Sequence, residues 1–79
     1  MEKYIRLRDE AVLECNIEKL EKLMKKYNPE IYPKFKISNE MVKLATLHKM
    51  ACAITTMPKE RVEQAREWLQ KNGMKEEIW

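Results

Sequence analysis

The chain of 79 residues contains one glycine, one serine, one histidine, one aspartate and one phenylalanine. Each scarcity excludes something. With Gly73 and Ser38 as the only residues of their kinds and three prolines, turn formers are too few for an all-β fold or a low-complexity linker. One histidine, one serine and Asp9 leave a Ser-His-Asp arrangement with no support beyond the presence of its members. Two cysteines, Cys15 and Cys52, form no CxxC pair and read as free, largely buried thiols. No apolar run approaches the length of a membrane span, and Met1-Glu2-Lys3-Tyr4 opens no signal-peptide pattern, so the expectation is a cytoplasmic protein with no membrane partner.

What the chain has is charge and helix formers. Charged residues are 37% and the hydrophobic set 44%, enough apolar material to offset the entropy of ordering a single helical domain over 1–79. A chain this short buries only about 60% of its unfolded surface, a thin core that often favours association with its own copy. The net charge of +3 is interleaved rather than blocked, the pattern of a solvated surface.

The spacing predicts an all-α bundle of four helices, at about 2–14, 17–27, 39–54 and 57–72, with an apolar connector over 28–37. In the first, Tyr4, Ile5, Ala11, Val12 and Cys15 share a face, and Arg8 projects from that stripe. Asn16 caps the second, whose stripe is Ile17, Leu20, Leu23, Met24 and Tyr27. Asn28-Pro29 ends it, because the residue before proline is driven out of the α region. Ser38 or Asn39 caps the third, with Leu44, Leu47, Ala51 and Ile54 inward. Thr55 or Thr56 caps the fourth, with Pro58 in its first turn and Val62, Ala65 and Leu69 inward. Gly73 ends it, placing Met74 against Leu69 across a Schellman turn.

Several groups are candidates for chemistry or binding. His48 and Cys52 are four apart on one helix face, usable zinc spacing with Cys15 as a third group, but structural zinc sites show four ligands in recognisable pairs, so no metal or other cofactor is expected. Arg8 among apolar neighbours needs an anion or acceptors to offset its desolvation; a carboxylate such as Glu40 or Glu63 would serve, as would a phosphate joined by His48 and Lys49. Lys22, Lys25, Lys26, Lys34, Lys36 and Lys43, with Tyr27, Tyr32 and Phe35 interleaved, form a basic rim of the kind that holds nucleic acid, diluted by alternating glutamates. Six methionines with Trp68 and the terminal Trp79 suit a repackable surface for a protein partner.

The runs Leu47-His48-Lys49-Met50, Thr55-Thr56-Met57-Pro58, Arg66-Glu67-Trp68-Leu69 and Asn72-Gly73-Met74, with the opening Tyr4-Ile5-Arg6-Leu7-Arg8-Asp9-Glu10-Ala11, resemble those of short uncharacterised all-helical proteins carried by prophages and mobile elements of Firmicutes. The resemblance implies an accessory factor, such as an inhibitor of host defence that binds a protein or sequesters a nucleotide. The sequence therefore favours a non-enzymatic, homo-oligomeric protein-binding module, with an anionic-ligand binder using Arg8, His48 and Lys49 as the alternative and a nucleic-acid binder using the lysine rim as a third.

Overall fold

The computed structural model describes residues 2–75. Five helices follow in chain order: α1 (Glu2–Glu14), α2 (Ile17–Tyr27), α3 (Tyr32–Ile37), α4 (Glu40–Ala53) and α5 (Lys59–Lys71). All of the regular structure among the described residues is helical, as the scarcity of turn formers predicts. No helix there is long and apolar enough to cross a membrane.

Cys15 and Asn16 join α1 to α2, and the two helices run antiparallel. The ring of Tyr4 near the start of α1 meets that of Tyr27 at the end of α2 at 5.1 Å, and Asn28 Nδ2 donates to the Tyr4 hydroxyl at 3.2 Å. Asn16 starts α2 by accepting from the Lys19 amide at 3.1 Å, and Asn39 starts α4 by accepting from the Val42 amide at 2.9 Å. Each satisfies one of the donors that a helix start leaves without an internal partner.

Two segments differ from the sequence reading. The connector over 28–37 contains a helix, α3, because Pro33 falls in its first turn, where a missing N–H costs nothing, and Phe35, 6% exposed, anchors it on the core. α5 begins at Lys59 rather than 57, with Pro58 in the cap position and no side-chain cap, so neither Thr55 nor Thr56 performs that duty.

The core is Ala11, Val12, Leu20, Phe35, Leu47, Ala51 and Ala65, with Cys15, Ile17, Met24, Met50, Cys52, Ile54 and Met57 packed around it. α4 lies at its centre and is apolar nearly all round, and it packs on α1, α2 and α5. Ile5, expected inside, is 46% exposed. On α5 the inward row is Arg61, Ala65 and Leu69, while Val62 is half-buried.

Two helix ends share one solution. At the end of α5 the Met74 amide donates to Leu69 O at 2.8 Å and the Gly73 amide to Gln70 O at 3.1 Å, with Gly73 at φ 67°. At the end of α1 the Asn16 amide donates to Ala11 O at 2.9 Å and the Cys15 amide to Val12 O at 3.2 Å, with Cys15 at φ 53°. Both are Schellman motifs, and the second puts a cysteine where glycine is favoured.

Candidate functional site

The arginine beside His48 is Arg61, not the Arg8 that the sequence reading offered. Arg61, 4% exposed, projects from α5 beneath the end of α1. Its Nε donates to Val12 O at 2.8 Å, and its Nη1 donates to His48 Nδ1 at 3.1 Å. α1 carries no basic residue in its last turn, so Arg61 supplies from another helix the positive charge that the negative end of a helix dipole favours. Its Nη2 is buried without a hydrogen-bond partner.

His48, 5% exposed, has an acceptor task at Nδ1, so a neutral ring must carry its hydrogen on Nε2. That nitrogen lies 3.8 Å from Cys15 Sγ. Trp68 stacks on the imidazole with ring centroids 4.6 Å apart and planes at 27°. Burial, reinforced by the neighbouring Arg61 charge, lowers the His48 pKa to about 4. Burial also pushes the Cys15 thiol up, and Arg61 opposes that shift only in part. A base holding a cation on one nitrogen and its own hydrogen on the other is poorly disposed to take a proton from a thiol already held neutral. The cluster therefore reads as a polar joint among α1, α4 and α5.

Arg8 takes no part in it. Its Nε and Nη2 both donate to Asp9 Oδ1, at 3.1 and 2.9 Å, so its partner is the adjacent carboxylate rather than Glu40 or Glu63. Lys49 is half-buried. Among the described residues no hydrogen bond or ion pair brings Arg8, His48 and Lys49 together, and the arginine joined to His48 is Arg61. Trp68 belongs to the joint, and Trp79 lies outside the described residues. No group of three or more His, Cys, Asp or Glu side chains among the described residues is placed to hold a metal.

The basic rim divides. Lys43 pairs with Glu21 at 2.6 Å and lies over the Phe35 ring, and Lys36 lies over Tyr32. Lys22 and Lys25 line a hollow with Tyr32, which they share with Glu18 and Glu21. Lys22 also lines, together with Lys26, a second hollow on the side of α2 that meets α1, and Lys34 is exposed on α3.

A larger concavity than these hollows lies elsewhere. A groove of about 900 Å³ runs between the outer face of α1 and the turn that joins α4 to α5. Ile5 and Leu13, 46% and 48% exposed, lie on one wall, and Thr56, Met57 and Pro58 form the other. Along α1 the wall carries Glu2, Lys3 and Arg6 at one end, followed by Asp9, which is paired with Arg8, and Glu10. Sequence reasoning missed this groove because it assigned Ile5 to the core. The signal was present, since Ile5 and Leu13 are eight apart and share a face that excludes Ala11.

No protein-family model, curated protein or solved structure matches the chain.

Proposed function

We propose that the protein is a non-enzymatic binding module whose groove beside α1 receives an amphipathic helix of a partner protein. The observation that carries this is the pair Ile5 and Leu13, each about half exposed and facing Met57 and Pro58 across the groove. From Ile5 to Leu13 the wall extends for about 12 Å, roughly two turns of a docked helix. Two aliphatic side chains left about half exposed beside a groove are the anchors such a partner would cover.

The charges choose the partner. Lys3 and Arg6 outnumber Glu2 at the start of α1 and favour an acidic residue on the docked helix there, and Glu10 favours a basic residue further along. The restraint of His48 by Arg61 and the raised thiol of Cys15 support a binding rather than a catalytic reading. An accessory factor or inhibitor acting by protein contact is consistent with this reading.

Selection of helical peptides against the protein, followed by titration against Ile5→Glu and Leu13→Glu, tests it. Selected helices are expected to bind the parent chain and to lose about tenfold or more in affinity to either variant, while both variants keep the parent's helical signal. Binders indifferent to both substitutions overturn the groove. Light scattering across concentration identifies the occupant: self-association abolished by Leu13→Glu replaces the foreign helix with a second copy of this chain.

A further inference from the structure

The opposite flank of α1 holds a smaller slot, between α1 and α2, with a volume of about 260 Å³. Its floor is apolar, made by Leu7, Leu23 and Tyr27, and Lys22 and Lys26 stand on its α2 side. Leu23 is 7% exposed and Tyr27 36%, so the floor is a packed surface with an open aromatic end. Tyr27 is held from behind by Tyr4, at 5.1 Å between centroids.

The electrostatics of the slot are unequal. Lys19 also lines it, but that ammonium is committed to Glu14 at 2.8 and 2.9 Å. Glu10 is the one carboxylate in the lining. Lys22 and Lys26 have no ion pair among the described residues, and they sit four apart on one helix face, where like charges repel. Lys26 leans over the Tyr27 ring at 5.3 Å, which keeps its charge at the mouth of the slot. An anion bridging the two ammonium groups would relieve their repulsion, and an apolar body attached to it would cover the floor.

We propose that this slot binds a free medium-chain fatty carboxylate, with its head between Lys22 and Lys26 and its chain along Leu7, Leu23 and Tyr27. The volume lies below the usual range for sites that hold drug-sized ligands, which favours a slender chain over a nucleotide. Lysine suits the head as a pair of mobile point charges, with aliphatic stems that extend the apolar wall. The slot shares only Glu10 with the helix-binding groove, and their apolar walls lie on different flanks of α1, Leu7 in one and Ile5 in the other, so either can fail without the other.

Titration of the isotopically labelled protein with decanoate, followed by amide NMR, tests the assignment. Saturable shifts centred on Leu7, Leu23 and Tyr27 are expected. Lys22→Gln with Lys26→Gln, both exposed and free of helix-capping duties, should keep the fold and weaken binding by about tenfold or more. Decanol and decyltrimethylammonium are the controls for head charge, and equal binding of either overturns the carboxylate assignment. So do shifts that map elsewhere, no saturation below the micelle concentration, or full affinity in the double variant. Anionic vesicles form the last arm: binding to them without binding to decanoate overturns the free-ligand claim in favour of a lipid surface.

Discussion

Arg61 Nη1 donates to His48 Nδ1 at 3.1 Å, while the same guanidinium holds the last turn of α1 through Val12 O at 2.8 Å. One side chain thus links α5 to both α4 and α1. Replacing Arg61 with Met keeps the apolar stem but strands an imidazole nitrogen and leaves Val12 O with the Cys15 amide as its remaining donor. The expected loss is about 2–3 kcal/mol. Chemical denaturation of Arg61→Met, His48→Leu and the double variant should show coupling of about 1 kcal/mol or more, and additive losses would refute the link.

The same contact sets a pH dependence. The folded pKa of His48 is lowered to about 4 from an ordinary value of 6.5, so the unfolded chain binds this proton first. Stability from this group is complete above about pH 6.5, falls as the pH drops toward about 4, and levels off below that. The groups facing the ring are Arg61, Cys15 and Trp68, and none of them offers a carboxylate to steady an imidazolium. The loss over that window is on the order of 3 kcal/mol. The difference between the parent and His48→Gln, measured by denaturation at closely spaced pH values, isolates it from the carboxylates. Parallel profiles would remove His48 as the cause.

Most of the scaffold was legible in the sequence. Asn16, Asn39 and Gly73 each mark a helix boundary through a local hydrogen bond or a backbone angle, and local features do not depend on what packs where. α3 was not legible, because the segment after Pro29 reads as an apolar connector until Phe35 is seen to be buried. The joint was half legible. His48 stood out as the sole histidine, but the inward row of the last helix was read as Val62, Ala65 and Leu69, which leaves Arg61 out. Its place in the row Arg61, Ala65, Leu69, at intervals of four, was the available signal. Arg8 had the same kind of place in a stripe and turned to Asp9 instead. Periodicity put both arginines near the core, and only the neighbouring helices decided which one entered it.

Cys15 beside His48 invites a test of reactivity. With Cys52→Ser as the background, alkylation of Cys15 should follow a pH profile with its midpoint above the ordinary thiol value of 9.0, since burial raises it. At neutral pH the rate should fall below that of a free cysteine. His48 cannot assist, because its Nε2 hydrogen points at the sulfur while Nδ1 is engaged by Arg61. A midpoint below the ordinary value would show an activated thiol and turn the joint into a reactive site.

The two Schellman motifs give a matched comparison. Gly73 at φ 67° has nothing within 4 Å of where a Cβ would stand, so Gly73→Ala tests the backbone penalty alone. The expected cost is about 1 kcal/mol, a fall of about 4–8 °C in Tm. Cys15 already bears the equivalent penalty at φ 53°, with its thiol set against His48. Cys15→Gly removes the strain and loses the sulfur contact, so its net change should be smaller than that of Gly73→Ala. Cys15→Ala keeps the strain, loses the contact, and should be the less stable of the two Cys15 variants. Thermal denaturation of all three checks the order, and a Cys15→Ala variant as stable as Cys15→Gly would show that the left-handed angle at the end of α1 carries no measurable cost.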